Sequence, residues 1–196
     1  MGLIEEKKGN KMFLKVINGK ITQALKGKTE TSVERVNSNN EIVHENRFGG
    51  LQGWICGLTI DEESDFGTQI LIDVTEKGSN YQIQVPLKSG YAYDFLSRVE
   101  STDFTKHVVL NTYKIPREDN KSKFNYVFTI QQEGVKIAKR YTKEHPNGLP
   151  KATENKVGKK TEWDFTEVTN FYYQIAQKVS EKIALMKNEI ILSSQE

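Results

Sequence analysis

The chain has one cysteine, Cys56, among 196 residues, so no intrachain disulfide can form. Cys56 lies in the apolar run Trp54-Ile55-Cys56-Gly57-Leu58 and reads as a small buried hydrophobe of a reducing compartment. The expected location is the cytoplasm, that of the host cell if the protein is viral. Histidine is nearly as scarce. His44, His107 and His145 stand far apart with no ligand spacing around them, which speaks against a His/Cys zinc site. No apolar run approaches the roughly 20 residues that span a bilayer, so no membrane partner is expected. Residues 1–10, MGLIEEKKGN, lack the apolar core of a secretory signal, and Glu6 breaks the myristoylation motif that Gly2 would open. They read as a flexible lead-in.

Catalytic signatures are also missing. Gly27-Lys28-Thr29 and Gly158-Lys159-Lys160 resemble the end of a P-loop, but the glycine needed five residues before each Gly-Lys pair is replaced by Thr22 and Thr153. The cluster Asp61-Glu62-Glu63-Ser64-Asp65, with Asp73 and Glu76, has the composition of a two-metal nuclease site, yet its place in a strand-to-strand turn favours a solvated loop. No Ser/His/Asp or Cys/His pairing is defensible from the positions. The expectation is a protein that is not an enzyme and uses neither cofactor nor metal.

What is present is segregated charge. Residues 1–28 carry a net +5, 29–113 carry −7, 114–160 carry +7 and 161–196 carry −3, within a total of only +2. Blocks of alternating sign imply an electropositive rim, and such a surface suits a polyanion.

The hydrophobic pattern is mainly that of strands. Lys11 to Ile17 and Lys20 to Lys26 flank Asn18-Gly19, a strong hairpin signal because both turn residues need positive φ. Ser32 to Asn37 and Glu41 to Phe48 suggest a second, polar hairpin. Three half-buried strands follow. Their inward faces are predicted to be Trp54, Cys56, Leu58 and Ile60, then Ile70, Ile72 and Val74, then Tyr81, Ile83, Val85 and Leu87. Tyr91, Phe95, Leu96 and Val99 fall on one side of a helix of about three turns, with Ser89 as its N-cap. His107 to Lys114, Lys123 to Gln131 and Val135 to Thr142 return to strand chemistry.

The fold expected is therefore mainly β, an OB-like barrel over residues 11–145 with one helix between its third and fourth strands. Residues 146–162, rich in Lys, Pro and Gly, read as a basic linker. Residues 163–192 read as an amphipathic helix with Asp164 and Glu167 as a capping box. Its stripe of Phe165, Val168, Phe171, Tyr172, Ile175, Val179, Ile183 and Met186 is expected to pack on the barrel or on a second copy of the chain.

Between Tyr113 and Lys160 aromatic rings interleave with cations, the combination that holds a single strand because bases stack while phosphates are neutralised. The candidate groove comprises Tyr93, Tyr113, Lys114, Arg117, Lys121, Lys123, Lys136, Lys139, Arg140, Tyr141 and Lys143. Tyr113 and Tyr141 are the favoured platforms because each has a cationic neighbour, and Tyr93 points away from the apolar side of its helix. Phe124, Tyr126 and Phe128 alternate on a strand and read as core, while Trp54 fits either role.

The phrases FGGLQGWICGL, VPLKSGYAYDFLSRV, YTKEHPNGLPK and WDFTEVTNFYYQIA, in that order, resemble the single-stranded-DNA-binding proteins of tailed bacteriophages of gut bacteria, over roughly Lys11 to Ala176. The resemblance implies an OB fold, sequence-independent binding of single-stranded DNA, and a role in DNA replication or recombination alongside other replication proteins. Many such proteins end in an acidic recruiting tail, whereas this chain ends KNEIILSSQE, with little charge. The alternative is a β-barrel module of phage assembly or regulation that docks a protein or homodimerises through its C-terminal helix.

Overall fold

A computed structural model describes residues 11–157 and 160–193. The lead-in, Gly158-Lys159 of the second P-loop-like fragment, and the last three residues of the weakly charged C-terminus lie outside that range. The N-terminal strands β1 (Lys11–Ile17) and β2 (Lys20–Leu25) form the hairpin that Asn18-Gly19 predicts, with both turn residues at positive φ (49° and 79°). The polar hairpin β3 (Val33–Val36) and β4 (Ile42–Phe48) follows. Its turn is held by the Asn37 Oδ1, which accepts from the N–H groups of Asn39 and Glu41, both at 2.9 Å. Next come β5 (Leu51–Asp61), β6 (Gln69–Glu76), β7 (Ser79–Pro86), helix α1 (Gly90–Val99), β8 (Val108–Pro116) and β9 (Phe124–Gln132). Ser89 caps α1 as its sequence requires, its hydroxyl accepting from the Ala92 N–H at 3.2 Å.

Among the described residues ten strands form one large mixed sheet in the order β10-β9-β8-β5-β6-β7-β1-β2-β4-β3, where β10 is the two-residue strand Val135–Lys136. Every pairing is antiparallel except β1 with β7, which is parallel. β5 serves two neighbours in turn: Leu51 to Gly53 pair with β8, and Trp54 to Asp61 pair with β6. The change of partner falls at Gly53, whose φ is +152° and where an added Cβ would lie 2.5 Å from the Thr75 carbonyl oxygen. Gly53→Ala combines strained backbone with this collision and is expected to destabilise by at least about 1–3 kcal/mol, read as a lower urea midpoint. A midpoint equal to wild type would show that the bend does not depend on glycine.

The predicted inward face of β5 is corrected by a bulge. The β5–β6 register shifts between Ile55 and Gly57, so Cys56 is an extra residue and the alternation changes phase there. Ile55 and Leu58 are buried, and Trp54 points outward with 41% of its surface exposed. The core elsewhere includes Ile70, Ile72, Val74, Ile83, Val85, Phe95, Leu96, Leu110, Phe128 and Ile130, inaccessible or nearly so, whereas Tyr126, read as core beside Phe124 and Phe128, is 42% exposed.

The C-terminal third departs further from expectation. The strand predicted over Val135 to Thr142 stops at Lys136; the Ile137 N–H still donates to the Ile130 carbonyl on β9 at 2.8 Å, and beyond it the segment turns to α1, where the Arg140 N–H donates to the Ser97 carbonyl at 2.6 Å. The predicted linker contains a hairpin, β11 (Thr153–Val157) with β12 (Lys160–Asp164). Helix α2 (Thr166–Ser193) follows. Asp164 accepts from the Thr166 N–H at 2.8 Å, one residue short of Glu167, so an Asx turn rather than a capping box opens the helix. Val168, Tyr172, Ile175, Val179 and Ile183 are buried within the same chain, against β5 and α1. Phe165 is the member of the predicted stripe that stays half exposed.

Candidate nucleic-acid interface

The residues proposed from sequence separate into three groups. Lys139, Arg140 and Tyr141 are tied to carboxylates of α1 and its C-cap; Tyr141 is buried there, while Lys139 and Arg140 stay exposed. The Lys139 ammonium pairs with the Asp94 carboxylate, the Arg140 Nε lies 3.7 Å from Glu100, and the Tyr141 hydroxyl donates to Glu100. Tyr141 is 7% exposed with its ring edge-on to Phe171. Burial, with the bond to Glu100, pushes its phenol up to about 12. Tyr93 is likewise engaged: its ring stacks on Tyr172 at 4.7 Å and its hydroxyl meets that of Thr169 at 2.8 Å. Tyr93 and Tyr141 are thus packing residues, a correction that follows from where α2 docks.

The second group survives as a surface. Tyr113 on β8 is 43% exposed, and Arg117, Lys121 and Lys123 occupy the exposed β8–β9 loop, where Arg117 pairs with Asp119 at 2.6 Å. The Lys114 ammonium lies 4.1 Å from the centre of the Phe124 ring and 3.3 Å from Asn18 Oδ1, which ties the loop to the β1–β2 turn. There Gly19 is required, since an added Cβ would stand 2.5 Å from the Lys114 nitrogen. The third group, Lys136 on β10 and Lys143 beyond it, is exposed and remote in sequence from the loop.

The sequence reading missed a concave feature, the outer face of β5, β6, β7, β1, β2 and β4. Residues paired side by side share a face. One row therefore contains Trp54, Thr75, Asn80 and Lys11; the next Gly57, Asp73, Gln82 and Phe13; the third Thr59, Leu71, Gln84, Lys15, Thr22 and Arg47. Phe13 is 66% exposed in the middle of this face and Trp54 sits at its end, edge-on to His107 at 4.7 Å. Phe66, in the β5–β6 loop and 78% exposed, has the Lys15 ammonium 5.3 Å from its ring centre. The face carries a groove of about 470 Å³ lined by Phe13, Lys15, Arg35, Gln82 and Gln84 among others.

Charge on this face is partly self-compensated. Lys11 pairs with Asp73 at 2.8 Å, and buried Glu45 holds Arg35 and Arg47, each at 2.9 Å. Lys15 and Lys20 are exposed and have no carboxylate within ion-pair distance among the described residues. The alternation Lys11-Met12-Phe13-Leu14-Lys15 was the available signal, because it places two cations around an aromatic on the outward side of a strand.

The acidic cluster forms the β5–β6 loop, where Asp61 accepts from the Glu63 N–H and Glu62 from the Tyr173 hydroxyl. Among the described residues no three His, Cys, Asp or Glu side chains converge on a metal-sized space, and no helix is long and apolar enough to cross a membrane.

Glu100 has a pH signature. Burial disfavours its charged form, but the hydrogen bonds from Lys178 and Tyr141 and the charge of Arg140 outweigh burial and hold the carboxyl below its ordinary value of 4.5. Its contribution to stability is complete above about pH 4.5 and is lost as pH falls through the lower folded value. Glu100→Gln should therefore lower the urea midpoint at neutral pH and narrow its gap to wild type on acidification. A gap that is constant with pH would refute the pairing.

No family model, curated protein or solved structure matches this chain.

Proposed function

We propose that the protein binds single-stranded DNA without catalysis and without base-sequence preference, as an OB-type accessory of phage DNA replication or recombination. The reading of the fold is supported by strand order. β5 pairs with β6 and β8, β6 with β7, β8 with β9, and α1 lies between β7 and β8, the order of a five-stranded OB barrel. In place of a β7–β9 closure, β1 lies on the edge of β7, and its turn touches β8. The reading of the function rests on one observation: Trp54 and Phe13 stand exposed on one concave sheet face, with Phe66 of the β5–β6 loop exposed beside Lys15 at its edge. Rings accept bases of any identity, and the lysines with the β8–β9 loop attract phosphate.

The test is fluorescence anisotropy of a labelled oligo-dT against its duplex at two salt concentrations. Single-strand preference that falls steeply with salt is expected, and equal binding of duplex, or none at low salt, would refute the proposal.

A further inference from the structure

A second aromatic and basic surface lies away from the concave face, at the start of α2. Trp163 and Phe165 are 57% and 50% exposed and alternate along the end of β12, so neither ring is used by the core. Two adjoining grooves share them. One, of about 410 Å³, runs over Lys88, Gly90 and Tyr93 at the start of α1; the other, of about 600 Å³, runs past Lys143, Pro146, Leu149 and Lys151. The second groove is mainly apolar, the first also carries Ser89, Asp164, Thr166 and Thr169, and lysines line both. Lys88, Lys143 and Lys151 have no carboxylate within ion-pair distance among the described residues, and Asp164, the carboxylate that lines the first groove, accepts from Thr166.

The surface is continuous with the β8–β9 face. Gly90, on the floor of the first groove, packs so closely on Tyr126 that an added Cβ would lie 2.9 Å from the Tyr126 Cβ. Tyr126 is 42% exposed, and its β8 partner is Lys114, which covers Phe124 beside the basic loop. Aromatic rings and lysines therefore follow one another from Phe124 through Tyr126 to Trp163 and Phe165.

We infer that this band carries the onward stretch of the same single strand after it leaves the concave face. Its bases lie on Tyr126, Trp163 and Phe165, and its phosphates meet Lys88, Lys143 and Lys151. This rests on the single-strand reading above and deepens it: it names a second leg of the path and makes the end of β12 part of the interface. Charge favours a nucleic acid over an apolar peptide, since three lysines against one carboxylate, Asp164, line the two grooves.

The experiment compares wild type with the double variant Trp163→Ala and Phe165→Ala on oligo-dT of about six and about twenty nucleotides, spanning the site sizes of such folds. A twenty-nucleotide strand carrying 5-iododeoxyuridine is also photo-crosslinked to the wild type. The short strand should bind both proteins alike, the long one should bind the variant about tenfold or more weakly, and the crosslink should map to Trp163. If wild type prefers single strands but the variant retains the full gain with length and Trp163 takes no crosslink, the second leg is refuted while the function stands. If wild type binds neither strand, both fall. The two rings are exposed, so a melting temperature within the wild-type range is expected of the variant and is measured alongside.

Discussion

Replacing Asp94 by alanine should cost roughly 3–5 kcal/mol of stability, because it strands a buried guanidinium. The Asp94 side chain is 3% exposed, accepts from the Phe128 N–H at 2.8 Å, and lies 3.5 Å from the Arg98 guanidinium, itself 5% exposed. Lys139 closes the group from outside. Without the carboxylate, among the described residues the Arg98 guanidinium keeps only the Ile137 carbonyl, and the Phe128 N–H on β9 is left without its acceptor. Asp94→Asn can still accept from Phe128 and should be milder. Lys139→Ala should be milder again, because Lys139 is 43% exposed and its removal buries no new charge. The urea midpoints should fall in that order. A D94A midpoint within about 0.5 kcal/mol of wild type would show that the cluster does not hold β9 to α1.

The second large effect concerns binding. Phe13→Ala and Trp54→Ala should each weaken single-strand affinity by about 1–3 kcal/mol, roughly 5- to 150-fold, with little change in melting temperature. Both rings project from a sheet face and contribute little to the core. The contrasting variant is Tyr141→Phe. It removes the hydroxyl bonded to Glu100 and should lower stability while leaving DNA affinity unchanged, since that ring is closed off by Phe171. If F13A and W54A bind as wild type does, the concave face is not the site. If Y141F alone weakens binding in a folded protein, the groove first drawn around residues 113–143 returns.

Much of the fold was legible because it is written in local chemistry. Asn18-Gly19, Lys77-Gly78 and Glu133-Gly134 each adopt the paired positive φ values that close a two-residue hairpin, and Ser89 caps the helix its sequence announces. The β5 face was misread because a bulge leaves no trace in alternation: Cys56 looks like any inward residue until β6 is paired against it. The β11–β12 hairpin was hidden because Pro, Gly and Lys dominate the segment's composition.

The site was harder to read for a related reason. Sequence places Lys139, Arg140 and Tyr141 next to one another but does not reveal that Asp94 on α1 and Glu100 at its C-cap wait for them. A run of cations looks the same whether it faces phosphate or a buried carboxylate. The sheet face on which Phe13 lies was also invisible, since it is assembled from β1, β6 and β7, and β1 precedes β7 by more than sixty residues.

That separation has a temporal side. The β1–β2 hairpin can close as soon as it is synthesised, but the parallel edge on which β1 rests does not exist until β7 has been made. Loop closure over such a distance is slow compared with forming a hairpin. During synthesis the first hairpin therefore carries an open strand edge and a bare phenylalanine while five further strands emerge. The charges at Lys11, Lys15 and Lys20 flank that edge and discourage it from pairing with another chain in the interval. The same lysines that would later meet phosphate would first act as gatekeepers of folding.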